Sequence, residues 1–248
     1  MKRGGLGRWL YQPYKYLIFA PAVGVVTAVL SIAALGLSFV LPSRAVGKLC
    51  AVPWARILAL MTPMRLRVEG RENIDPRQSY VLVSNHQSQY DILVLYGWLG
   101  IDFRWVMKQE LRSVPAIGMA CERLDHIFID RSDHAAALAA LEDAKKKIVD
   151  GTSVMFFPEG TRSRDGRLKR FKRGAFRMAV DLGLPILPLT VTGTRNVLPA
   201  DTADLMPGRA RLIIHPPVSV DGKTVEDCQD LCDEVRGIIA SALPPDQV

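Results

Sequence analysis

From Tyr16 to Ser43 the chain carries no charged residue, and the run from Leu17 to Val40 is strongly apolar. That stretch exceeds the roughly 20 residues a helix needs to span a bilayer. It is also longer than the core of a secretory signal, usually about 7–15 residues, and no clear Ala-x-Ala site closes it. Lys2, Arg3, Arg8 and Lys15 precede the run, while Arg44, Lys48 and Arg56 follow it. Positive charge on both flanks defines no orientation for a single crossing. It fits a helix that enters and returns on one side. Leu49 to Met64, interrupted only by Arg56, supplies the return arm, and Pro21, Pro42, Pro53 and Pro63 mark kinks and ends. Residues 1–64 are therefore expected to anchor the chain in a membrane as a helical hairpin in the cytosolic leaflet, favoured over a single crossing. Trp9, Tyr11, Tyr14 and Tyr16 serve as interfacial anchors.

Residues 65–248 read differently. Short apolar runs at 66–68, 80–83, 104–107, 126–129, 153–157, 186–192 and 211–214 predict strands. They alternate with helical patterns at 92–99, 135–149, 175–182 and 225–242. Ser132-Asp133 offers an N-cap for the second of these helices, Lys145-Lys146-Lys147 suits its last turn, and Gly151 stops it. The alternation predicts an α/β domain with a mixed, mainly parallel sheet flanked by helices. In such sheets ligands gather beyond the C-terminal ends of the strands.

Two motifs fall at those ends. His86 and Asp91 lie five positions apart, directly after Tyr80-Val81-Leu82-Val83. On one continuous helix five residues turn by about 500°, so the two side chains would point apart. Contact between them requires a turn, with a strand ending near Ser84 and a helix starting near Gln89. An imidazole held by a carboxylate is the usual general base for a hydroxyl. The second motif, Phe156-Phe157-Pro158-Glu159-Gly160-Thr161-Arg162-Ser163-Arg164, follows the apolar Ser153-Val154-Met155. Its Pro and Gly predict a tight loop carrying one carboxylate and two guanidiniums, and such a loop suits a phosphate.

Together, Asn85-His86-Gln87-Ser88-x-x-Asp91 and Phe157-Pro158-Glu159-Gly160-Thr161-Arg162-Ser163 resemble the signature of the glycerolipid acyltransferase family, most of all its lysophosphatidic acid acyltransferase branch. Lys108-Gln109-Glu110-Leu111 with Pro115 and Gly118, then Ile127-Phe128-Ile129-Asp130-Arg131, resemble a further block, and Leu184-Pro185-Ile186-Leu187-Pro188-Leu189 resembles the last. The resemblance covers about Arg65 to Gly193. It implies acyl transfer from the thioester of acyl-CoA or acyl carrier protein to the 2-hydroxyl of lysophosphatidic acid, giving phosphatidic acid, with another lyso-lipid as the alternative acceptor because related enzymes carry the same block. The donor is a co-substrate, and no cofactor is expected.

On that resemblance His86 takes the hydroxyl proton and Asp91 fixes its tautomer. Glu159 belongs to the acceptor-binding block, where it bonds a glycerol hydroxyl or orients the loop. Gly160 and Thr161 shape that block, and Gly160 permits close approach of substrate to backbone. Arg162 is the first choice for the acceptor phosphate, Lys108 the second and Arg131 a third. Ser88 shapes the His86 turn by a local hydrogen bond. No Gly-x-Ser-x-Gly elbow occurs, in keeping with direct transfer and no covalent acyl-enzyme. Backbone amides at the helix start after His86 are the expected oxyanion donors.

A net charge of +7 points to a polyanionic partner, and the apolar N-terminus favours an anionic membrane surface over nucleic acid. Eight basic residues between Arg162 and Arg177, opposed only by Asp165, form either a lipid-facing patch or a docking site for acidic acyl carrier protein. A non-catalytic, membrane-tethered polyanion binder would explain the charge and the anchor, but not the ordered motifs. Cys50, Cys121, Cys228 and Cys232 form no disulfide or zinc pattern and read as reduced packing thiols of a cytoplasm-facing domain. No metal site is expected.

Overall fold

The computed structural model describes residues 11–130, 133–146, 148 and 151–248. Lys2, Arg3, Arg8, Trp9, Arg131, Ser132 and Lys147, to which the sequence assigned roles, lie outside the described residues. The first helix, α1 (Tyr11–Leu37), is long and apolar enough to cross a membrane. A turn at residues 38–42 leads into α2 (residues 43–61), which returns beside it. Pro42 opens the second arm, as expected, but Pro21 and Pro53 end nothing. Each follows a π-helical segment, Lys15–Phe19 or Gly47–Ala51. A proline removes the bond to the carbonyl four residues back and crowds it, and the wider π turn accommodates both effects inside a continuous helix.

Seven strands form one sheet: β1 (Met64–Glu69), β2 (Val81–Ser84), β3 (Phe103–Lys108), β4 (Ile127–Ile129), β5 (Ser153–Phe156), β6 (Ile186–Thr192) and β7 (Gly208–Ile214). Their order is β1-β7-β6-β2-β5-β3-β4, and only the β6–β7 pair is antiparallel. The mixed, mainly parallel sheet and its flanking helices are those the alternation predicts. The other helices are α3 (Tyr90–Trp98), α4 (Ile117–Arg123), α5 (His134–Lys145), α6 (Gly174–Leu182), α7 (Thr194–Val197) and α8 (Cys228–Ser241). Asp133 caps α5 by accepting the Ala136 amide at 3.0 Å.

Every residue of β2, β5 and β6 is buried, which explains their continuous apolar sequence: helices cover both faces. Strand alternation divides the core in two. Tyr80, Leu82, Met155 and Leu187 face Ala55, Leu58 and Ala59 of α2 and Leu93 and Val94 of α3. Val81, Val83, Val154 and Ile186 face Phe176 of α6 and Leu231, Val235 and Ile239 of α8. The second arm of the hairpin is thus part of the main core. Cys228 and Cys232 pack in the second cluster. By contrast Tyr16, Leu17, Val25, Val29, Phe39 and Val40 are exposed, a contiguous apolar surface of the kind that marks an interaction with another apolar phase.

Candidate active site

Central strands β2 and β5 are adjacent and parallel, so the loops after them emerge side by side. The loop after β2 carries His86, and Asp91 stands in the first turn of α3. Asp91 is fully buried. Its Oδ2 lies 2.8 Å from His86 Nδ1 and accepts the amides of Gln87 at 2.7 Å and Ser88 at 2.9 Å. Its Oδ1 accepts the Thr194 hydroxyl at 2.5 Å. Four donors and a helix N-terminus compensate a charge that burial would otherwise penalise.

The turn is tied to β6 as well. Asn85 Nδ2 donates to the Val191 carbonyl at 2.9 Å, and Asn85 Oδ1 accepts the Val191 amide at 2.8 Å. This side-chain amide mimics one more rung of the β2–β6 ladder. Ser88 Oγ accepts the Tyr90 amide at 3.1 Å and donates to the Leu198 carbonyl at 2.6 Å, the turn-shaping part expected for it. The His86 ring stacks on Phe157 with centroids 3.8 Å apart and planes 10° from parallel. With Nδ1 engaged by Asp91, Nε2 meets no partner among the described residues.

The amides at the start of α3, the expected oxyanion donors, are engaged in part. The Gln87 and Ser88 amides are both bound to Asp91, and the Tyr90 amide is bound to Ser88. Those three groups organise the turn, which leaves the Gln89 amide, at the N-cap of α3, as the expected donor.

Glu159, on the loop after β5, is buried. Its Oε1 accepts the His86 amide at 2.7 Å and its Oε2 the Lys169 amide at 3.2 Å. Burial pushes its carboxyl up to about 7, against the two amides, which favour the charged form. Of its two expected roles, the geometry presents loop orientation. Gly160 has φ +76°, a left-handed conformation that calls for glycine. Arg162 Nη2 meets Asp201 Oδ1 at 3.1 Å, and Arg164 Nε meets Asp201 Oδ2 at 2.7 Å. The Arg164 hydrogen bond, with both guanidinium charges, holds the Asp201 carboxyl below its usual range. Lys108 closes β3, exposed, 3.9 Å from Glu110.

His86, Lys108, Gly160, Arg162, Arg164 and Asp201 line one cavity of about 570 Å³, while Glu159 stands behind it. Its polar wall includes His86, Lys108, Thr161, Arg162, Arg164 and Asp201. Its apolar wall comes from the hairpin, through Leu30, Ala34 and Trp54, and from Ile92, Trp105 and Ile117. The site therefore has a nitrogen base between a cationic lining and an apolar one. The basic run does not stay together: Arg173 reaches Gln229 and Arg177 reaches Asp181, both away from Arg162. Thr194, Asn85 and Asp201 are contributions that sequence reasoning assigned no role. Asn85 stood inside a recognised motif, whereas Thr194 and Asp201 follow its last block and carry no local signal.

The sequence profile of the acyltransferase family matches residues 65–192. A 1-acyl-sn-glycerol-3-phosphate acyltransferase of Chlamydomonas reinhardtii is 34% identical over 74% of this chain and 54% of its own length. A chloroplastic 1-acyl-sn-glycerol-3-phosphate acyltransferase of Arabidopsis thaliana is 35% identical over 77% of this chain and 52% of its own. The chain thus spans about half the length of these curated relatives. The crystal structure of the 1-acyl-sn-glycerophosphate (LPA) acyltransferase PlsC from Thermotoga maritima superposes with a TM-score of 0.77 at 26% identity, covering 96% of this chain and 99% of that one.

Proposed function

The chain belongs to the acyltransferase family, and we propose that it transfers an acyl group from a thioester donor to the 2-hydroxyl of lysophosphatidic acid, giving phosphatidic acid. The observation that carries this reading is His86, held from behind by the buried Asp91, on the wall of a cavity that also presents Arg162 and Lys108. Relatives and a structural neighbour named for the same acceptor support it.

His86 Nε2 removes the proton from the 2-hydroxyl as its oxygen attacks the thioester carbonyl carbon. Asp91 holds Nδ1–H and stabilises the imidazolium that results. The tetrahedral adduct collapses, the carbon–sulfur bond breaks, and the thiolate leaves and regains the proton carried by His86. A thiolate leaves readily, so no acyl-enzyme and no cofactor are required. The donor is acyl-CoA or acyl carrier protein.

Arg162 is suited to the acceptor phosphate through paired bonds, with Lys108 as a second cation. Glu159, Gly160 and Thr161 set the loop against which the glycerol rests. The apolar wall accommodates an acyl chain. The hairpin, with its exposed apolar side chains, seats the enzyme in a membrane with the catalytic domain on the cytoplasmic face, and the excess positive charge favours an anionic surface.

The test is to incubate the purified protein in bilayers with lysophosphatidic acid and acyl-CoA, beside His86→Ala, and to quantify phosphatidic acid. Product from the wild type alone supports the reaction and the base. Product only with acyl carrier protein thioesters fixes the donor, and product only with other lyso-lipids replaces the acceptor. No product with any pair overturns the reading.

A further inference from the structure

A second cavity, of about 580 Å³, lies between the hairpin and the start of β3, outside the loops that carry His86 and Arg162. Helix α2 supplies Ser43, Arg44, Lys48 and Arg56, and the strand side supplies Asp102 and Arg104. Four cations thus face one carboxylate. That carboxylate is already engaged, since Asp102 accepts Arg104 Nη1 at 2.9 Å and the Thr152 hydroxyl at 3.3 Å.

Arg104 is the unusual member. Its side chain is only 7% exposed, Nη2 donates to Ser43 Oγ at 3.0 Å, and its buried Nε–H has no partner. Arg104 thus adds a buried positive charge behind the cavity, while Arg44 and Lys48, both exposed, are the cations an anion entering it would meet. Val52, Pro53, Ile101, Phe103 and Leu124 add an apolar part to the lining. Phe39, Val40 and Leu49, close in sequence to Ser43 and Lys48, are exposed on the hairpin. Cations in a recess bordered by an apolar, exposed helix surface match an amphiphile with an anionic head, whereas a free anion would need only the cations. Basic pockets beside membrane helices bind anionic lipid headgroups for this reason.

We propose that this cavity binds the phosphate headgroup of an anionic phospholipid, with the acyl chains lying along the exposed surface of the hairpin. The site is separate from the reaction cavity but shares with it a wall formed by Tyr96, Leu124 and His126. Tyr96 and His126 are joined there by a 2.5 Å hydrogen bond. The lipid therefore fixes the hairpin against β3 next to the apolar end of the reaction cavity.

The test titrates the full chain in uncharged maltoside micelles with dihexanoyl phosphatidylglycerol, dihexanoyl phosphatidylcholine and inorganic phosphate, by calorimetry and without any acyl donor. Because no turnover is read, the result is independent of the proposed reaction. The expected result is a Kd for phosphatidylglycerol at least tenfold below those for phosphatidylcholine and inorganic phosphate. Arg44→Gln/Lys48→Gln, at two exposed positions, should weaken phosphatidylglycerol at least fivefold, while Arg162→Ala leaves it unchanged. Equal affinity for the two lipids in the wild type overturns the proposal. So does inorganic phosphate as tight as the lipid, which would mark a free-anion site, or a loss that follows Arg162→Ala instead.

Discussion

The carboxylate of Glu159 holds the backbone of His86, its Oε1 accepting the His86 amide at 2.7 Å. Its other oxygen takes the Lys169 amide, so one buried side chain ties the loop after β2 to the loop after β5 and to the segment beyond it. The Ser163 amide closes the same seam by donating to the His86 carbonyl at 2.8 Å. The position of the imidazole is therefore determined by both motifs together. Neither motif alone would hold it.

This role makes Glu159 visible in stability. Its carboxyl is raised from 4.5 to about 7 by burial. Between those values the unfolded chain releases the proton while the folded chain keeps it, so the contribution of this group falls as pH rises and levels off above about 7. Glu159→Gln removes the titration and leaves one acceptor for two amide donors, at a cost of about 1–3 kcal/mol. The gap in thermal midpoint between wild type and variant should be widest near pH 5 and narrow by pH 8. A gap that stays constant across that range would argue against the raised carboxyl.

Thr194 is expected to act through Asp91. Thr194→Val removes the hydroxyl that satisfies Asp91 Oδ1 and leaves that oxygen buried without a donor. The loss of about 1.4 kcal/mol or more of positioning corresponds to a fall of roughly tenfold in kcat. Neither substrate KM should move, because Thr194 does not line the cavity. Thr194→Ser should restore most of the rate, and a serine variant as slow as valine would assign the effect to packing.

His86 and Asp91 were legible because only four residues separate them and an apolar strand precedes them. The strands were legible because β2, β5 and β6 are buried on both faces and so are written as unbroken apolar runs. What the sequence hid is non-local. Thr194 meets Asp91 across 103 positions, and the Asn85 amide substitutes for a rung of a ladder whose other strand begins at Ile186. The oxyanion expectation narrowed for a related reason: periodicity shows that amides are free at a helix start, but not that the helix's own Asp91 has taken two of them. Helix α4 escaped prediction because its core is short, with Pro115 just before it and Gly118 inside it.

Asp201 competes for the cations proposed to hold the acceptor phosphate. The Asp201 side chain is 47% exposed, and an ion pair so placed is worth little, so a phosphate can displace it. Arg162→Ala should raise the acceptor KM about tenfold or more with little change in the donor KM. Asp201→Ala should lower the acceptor KM severalfold or leave it level. Initial-rate kinetics with each substrate varied in turn would separate these effects. An Arg162→Ala enzyme with an unchanged acceptor KM would remove Arg162 from the site.

Removing the hairpin should damage the fold as well as the membrane contact. Ala55, Leu58 and Ala59 of α2 are buried against the same cluster as Leu82 and Leu187 of the central strands. Deleting residues 1–64 exposes that layer, and by analogy with large-to-small core changes, each lost apolar side chain costs about 1 kcal/mol or more. The truncated chain should therefore aggregate or require detergent, with little activity. A gentler variant separates anchoring from packing: Leu17, Val25, Val29 and Val40 are exposed and lie outside the core. Changing these four to Ser should leave the midpoint of thermal unfolding in detergent nearly unchanged and release the protein from sedimented vesicles. If the four-serine protein still sediments fully, some other surface carries the attachment. If the deletion yields a soluble, active enzyme, the second arm is dispensable to the core it lines.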